Sequence, residues 1–292
     1  MKKLVLVLML LSAMSLQAQK TSRIMIGLGG GLTTNMARNE AKNTCGPMGA
    51  FNFGYTILGN VGNDGAQMGF RTGLNATYTK FGSDMQLSEA FSNVDYYGHR
   101  IDYRVSSKNV LFRQQQLNLE LPIMLAIVAK GLYFNLGAKL MLPVMKSYNQ
   151  TMEDPQISAF YPEYGVTVVN DVTTGLITEN QRNFSGTPDM PKLLIGLSAE
   201  IGHVWQLGES KNSLGFDVFL DIVPWGVGGG TIDNAKSVVE VAPIVNDCEQ
   251  PKAAVTVNPL NYCNNYKCNL LNFGVKLVYT FDIEAYRSFC RL

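Results

Sequence analysis

Histidine, tryptophan and charge are scarce in this 292-residue chain, which has two histidines, two tryptophans and a charged fraction of 16%. About a quarter of a soluble domain is usually charged. With only His99 and His203, and no metal-ligand spacing or nucleophile elbow around either, no metal, cofactor or hydrolytic centre is expected. A basic excess is also missing: 24 Lys and Arg stand against 23 Asp and Glu, which gives no electrostatic footprint for nucleic acid. Beyond the N-terminus no apolar run approaches the roughly 20 residues of a membrane-spanning helix. That lack does not bear on a membrane barrel, whose strands each carry a weak alternating signal. No long segment has amphipathic helical periodicity, so all-β is the default class.

The first residues indicate export. Lys2 and Lys3 precede an apolar run from Leu4 to Leu11, and small or polar residues lead to Ala18. This is the pattern of a secretory signal peptide, assigned to residues 1–18. Its removal takes away two lysines, so Lys+Arg falls from 24 to 22 against 23 acids and the net charge becomes −1. No cysteine sits at the cut, which argues against a lipid-anchored lipoprotein.

Alternation of period two recurs along the rest of the chain, as half-exposed strands require. The clearest run lies within Leu111 to Val128, where Leu117, Leu119, Leu121, Ile123, Leu125 and Ile127 oppose Gln114, Gln116, Asn118 and Glu120. After Lys130-Gly131 the pattern resumes from Leu132 to Leu142. It returns at Leu193–Ile201, Leu214–Ile222 and Leu271–Phe281, and three N-terminal segments begin at Ile24, Phe51 and Met68. Eight strands result. Short turns at Gly59–Gly65, Ala129–Gly131 and Leu207–Asn212 alternate with long connections near 35–47, 82–110, 146–190 and 225–268. Such long connections argue against a compact soluble domain. They suit an outer-membrane barrel with periplasmic turns and extracellular loops. The expected fold is therefore an eight-stranded antiparallel transmembrane β-barrel, an up-and-down meander over residues 22–282 with four long extracellular loops. Residues 283–292 form a periplasmic tail.

Composition of the two faces selects which one meets lipid. The apolar faces are nearly pure Leu, Ile, Val and Phe and would overfill a small lumen, whereas the opposite faces mix glycine with polar residues. Tyr55, Tyr78, Trp205, Trp225, Tyr279 and Phe281 cluster near strand ends as an interfacial girdle would. The polar faces carry Arg71, Lys139 and Lys276 with Glu120, Glu200, Asp217 and Asp221 into the lumen. Opposite charges on neighbouring strands can pair there, and pairing is what makes buried charge tolerable. An eight-stranded barrel has just enough room for its own side chains. A lumen closed by ion pairs is the expectation, with a narrow porin-like channel as the alternative.

Other motifs have plain explanations. Gly27-Leu28-Gly29-Gly30-Gly31 superficially resembles a dinucleotide loop but lacks the following helix. Its odd-numbered glycines fit small lumen-facing positions. His203 falls on the lipid-side register. His99 lies in a polar loop with Asp102, Arg100 and Arg104, and a rim-located enzyme would use it. Cys45 in the first loop and Cys248, Cys263 and Cys268 in the fourth are candidates for disulfides, with three possible connectivities. Cys290 is left over.

The segment Leu117-Asn118-Leu119-Glu120-Leu121-Pro122, followed by Tyr133-Phe134-Asn135-Leu136-Gly137-Ala138 and preceded far upstream by Leu16-Gln17-Ala18-Gln19, resembles small outer-membrane barrels of the Bacteroidetes type, the porin-family or PorT-like proteins. The resemblance covers essentially the mature chain. It implies a location in the outer membrane of a Gram-negative bacterium and contact with outer-membrane lipid. It also implies insertion by the barrel-assembly machinery, which would read the aromatic strand end at Phe281. Some members serve secretion, so envelope or secretion proteins are expected partners. A non-enzymatic structural or loop-mediated role is the leading expectation.

Overall fold

The computed structural model describes residues 20–35, 42–61, 65–94, 98–154, 156–169, 183–188, 191–208, 212–227, 239–241, 255–257 and 270–282. Regular structure among them is all strand: β1 Lys20–Asn35, β2 Lys42–Thr44, β3 Gly46–Val61, β4 Ala66–Val94, β5 Arg100–Ala129, β6 Leu132–Glu153 and β7 Gln156–Tyr161. The remainder are β8 Val166–Val169, β9 Asn183–Gly186, β10 Leu193–Gln206, β11 Ser213–Val227, β12 Val239–Val241, β13 Val255–Val257 and β14 Leu270–Asp282. The signal-peptide segment and the C-terminal tail lie outside the described residues.

Eight strands close a ring in the order β1, β3, β4, β5, β6, β10, β11, β14, with β14 returning to β1. Every neighbouring pair is antiparallel. The β5–β6 turn shows why the chain reverses where it does. Lys130 and Gly131 have φ of 49° and 83°, the paired positive values of a tight hairpin turn that glycine adopts at no steric cost. The Gly131 carbonyl accepts a hydrogen bond from the Val204 amide at 2.7 Å, which ties this turn to β10.

Register aligns the apolar rows around the outside. Leu28 stands opposite both Leu277 and Phe51, Phe53 opposite Leu74, Leu121 opposite Leu140, and Ile201 opposite both Phe134 and Val218. All of these but Leu140 are exposed outright, Leu28 to 66%. On β5 the row from Leu117 to Ile127 covers about 33 Å along the strand, or about 25 Å of height at a tilt of about 40°. Tyr279 and Trp205 both stand opposite Leu214 near one end of this band. The inner face holds Asn52, Asn75, Asn118, Asn272, Gln114 and Gln116, all buried. This is a globular core turned inside out.

Beyond the band the strands continue where loops were expected. From Lys80↔Gln115 to Val94↔Arg100, β4 and β5 run on as an arm. β7 adds to β5, β8 to β7, β9 to β6 and β2 to β4. Most of 82–110 is thus strand, and 146–190 contains the end of β6 with three short strands. The outward face here is polar (Lys80, Gln115, Asn149), which erases the apolar alternation by which a strand is recognised. A bulge between Met85 and Leu87 also reverses parity, so the buried face of β5 changes from Val110 and Phe112 to Ile101, Tyr103 and Val105. In the fourth connection, β12 and β13 form a two-stranded sheet of their own.

Candidate functional site in the barrel lumen

Seven ionisable side chains meet inside the ring, each at most 6% exposed. They form two groups. In the first, Arg71 of β4 donates from Nη1 to Glu200 Oε2 of β10 at 2.7 Å, and Lys276 of β14 donates to Glu200 Oε1. Asn135 Nδ2 adds a third hydrogen bond to Glu200 at 3.1 Å. Asp217 lies 4.0 Å from Lys276, and among the described residues no donor reaches either of its oxygens. In the second group, Lys139 of β6 holds both oxygens of Asp221 of β11 at 2.8 Å, Ser198 donates to Asp221 at 2.5 Å, and Glu120 stands 3.9 Å from Lys139.

The pairing differs from the neighbour-to-neighbour scheme that alternation suggests. Lys276 and Asp217 are register partners on adjacent strands, yet the tight contact of Lys276 is to Glu200, one strand further round. Lys139 likewise reaches past β10, and Arg71 crosses the lumen. In so narrow a ring a long cationic side chain extends toward the axis, where carboxylates of non-adjacent strands converge. Gly29 makes room for this: a Cβ there would lie 2.7 Å from Lys276 Cγ.

Apolar side chains partition the lumen. The Phe219 ring stands between the groups, 5.3 Å from the Lys276 ammonium and 5.8 Å from that of Lys139, within cation–π range. Met141 and Val223, two residues beyond Lys139 and Asp221 on the same face, join Phe81, Leu194 and Leu270 in a buried apolar cluster. At the turn end a cavity of about 40 Å³ is lined by Arg23, Leu58, Arg71, Tyr133 and Val278 among others. It has room for a few waters, each needing about 10–15 Å³. Sequence reasoning overlooked Phe219, Met141, Leu194 and Val223. Their signal was present, since each is a large apolar residue on the otherwise polar parity.

The remaining candidates lie elsewhere. His99 Nε2 is 3.0 Å from Tyr164 Oη and 3.6 Å from Glu163, so it joins the tip of the arm to the β7–β8 turn, away from the lumen charges. His203 packs against Trp205 with ring centroids 4.9 Å apart. Cys45 is exposed and has no disulfide partner among the described residues. Cys248, Cys263, Cys268 and Cys290 lie outside those residues.

The fold and its lumen define a closed all-β antiparallel barrel of eight strands, apolar outside and charged within. No family model matches the chain, and no curated protein does. Among solved structures the chain is similar to Ail, the attachment invasion locus protein of Yersinia pestis, in complex with the heparin analogue sucrose octasulfate. The match covers 90% of this chain and 99% of that chain, at 7% identity and a TM-score of 0.27.

Proposed function

We propose that this chain is a non-enzymatic outer-membrane β-barrel that stabilises the envelope or presents its outward extensions to envelope or secretion partners. One observation carries the reading: the ring exposes a continuous band of Leu, Ile, Val and Phe while burying the seven charges of the lumen network. Exposed apolar patches beyond a few hundred Å² are rare on soluble monomers, and a band about 25 Å tall flanked by aromatic residues is the signature of a lipid-facing barrel wall. Closure of the ring satisfies the backbone polar groups that lipid cannot. Short turns on one side and longer connections on the other support an up-and-down barrel with four extracellular connections. Insertion by the barrel-assembly machinery is supported by the alternating aromatic end of β14, Tyr279 and Phe281. A lumen closed by its ion pairs is supported by the apolar layer over Lys139 and Asp221. Cys45 would pair with a cysteine of the fourth connection.

Two measurements test this reading. Fractionation of cells expressing the full chain should place it in the outer membrane as a heat-modifiable band. Planar bilayers should show no large steady conductance. Recovery as a soluble periplasmic protein would overturn the membrane assignment, and steady conductance would overturn the closed lumen.

A further inference from the structure

The outer wall has one feature that neither the lumen nor the apolar band accounts for. Along β6, residues 142–147 have no ladder partner on the side away from β5 among the described residues, because β10 pairs only as far as Met141 and β9 begins at Tyr148. A bulge between Leu117 and Asn118 inserts Val144 on the same stretch. The result is a groove of about 560 Å³.

Position and lining give the groove two chemistries. Leu117 ends the apolar row of β5, and Gln115 is the first polar residue beyond it, so the groove straddles the boundary of the band. Leu117, Val144 and Met145 supply an apolar floor, and Met145 is 66% exposed. Above it, Tyr78 Oη donates to Gln115 Oε1 and Gln115 Nε2 donates to Ser147 Oγ, both at 2.9 Å, which forms an ordered polar rim. Lys146 lines the same groove and makes no ion pair among the described residues. Lys80, the register partner of Gln115, is an exposed cation beside that rim, and Lys146 is half-buried.

We propose that this groove binds one lipid with an anionic phosphate headgroup, seating an acyl chain on Leu117, Val144 and Met145 and the phosphate at Lys146. Apolar floor, hydrogen-bonding rim and the Lys146 ammonium follow the order in which such a lipid presents its chain, ester region and phosphate. The inference rests on the outer-membrane reading and deepens it, since it names a lipid species that the wall selects.

The test uses the full-length folded protein, stripped of lipid in neutral detergent and titrated with phosphatidylglycerol or phosphatidylcholine, with retained lipid counted by native mass spectrometry. Phosphatidylglycerol should be retained about five-fold more strongly, the factor expected for one well-placed lysine. Lys146→Ala should abolish the preference and Lys146→Arg keep it. Lys130→Gln, at the opposite end of the barrel, should leave it unchanged. Met145→Glu should weaken both lipids, and millimolar inorganic phosphate should displace neither. Equal retention of the two lipids, equal effects of Lys146→Ala and Lys130→Gln, or displacement by inorganic phosphate would each overturn the site. Heat modifiability checks that every variant is folded. Failure to enter vesicles of any composition would instead overturn the membrane reading itself.

Discussion

Lys139 holds both carboxylate oxygens of Asp221 at 2.8 Å although β10 lies between their strands. This contact ties β6 to β11 through the lumen rather than through the wall. Removing Asp221 leaves buried Lys139 with only Glu120, 3.9 Å away, and removing Lys139 leaves Asp221 with only the Ser198 hydroxyl and Glu120 without a cation. In a Glu120→Gln background, Lys139→Met or Asp221→Leu alone should therefore cost roughly 3–5 kcal/mol, and the two combined should recover most of that loss. Urea unfolding in lipid vesicles checks this. Single effects that simply add would show that the pair is not coupled.

Gly29 is the narrow point of the same lumen. Gly29→Val would drive a side chain into Lys276 Cγ and the Val275 carbonyl, with an expected loss of about 1–3 kcal/mol from overpacking. Gly49→Ala is the control, because a Cβ at Gly49 meets nothing within 4 Å. The same unfolding measurement should separate the two variants clearly.

In the arm outside the band, Asp102 accepts hydrogen bonds from Ser92 Oγ at 2.5 Å and Arg100 Nε at 2.8 Å. The Ser92 bond first, then the Arg100 bond, lowers its pKa below the ordinary carboxylate value. A depressed folded-state pKa contributes stability that is present above the unfolded value and is lost as pH falls through the folded one. The protection of the Ser92–Asp102 pairing against hydrogen exchange, relative to the intrinsic rate at each pH, should accordingly fall on acidification below the usual carboxylate range. In Asp102→Asn that protection should be lower at neutral pH and flat across the window.

The wall was legible in the sequence because an exposed apolar face outside and packed polar groups inside impose a strict period of two. That parity puts Leu121 and Ile123 on one face and Glu120 on the other, which are the faces they occupy. Parity also collects Arg71, Glu200 and Lys276 on one side without revealing that they meet, since contact across a lumen depends on ring closure and side-chain length rather than register. Phe219 and Met141 break the polar pattern, and an apolar residue on an inward parity is what a partition needs. The arm reads as loop because its outward face is polar and the apolar row on its other face does not keep one phase along the strand. The bulge at Met85 hid the buried stripe of Ile101 and Val105 by changing its phase.

The most direct measurement concerns what the outward rows touch. Trp205 and Trp225 are the only tryptophans of the chain. With both changed to Phe, Leu28→Trp and Leu277→Trp each place a single fluorophore in the middle of the exposed band. Reconstituted in vesicles of lipid brominated deep in the acyl chain, both should be strongly quenched and nearly insensitive to acrylamide in the buffer. Quenching by acrylamide with no effect of the brominated lipid would put these residues in water and contradict the membrane barrel.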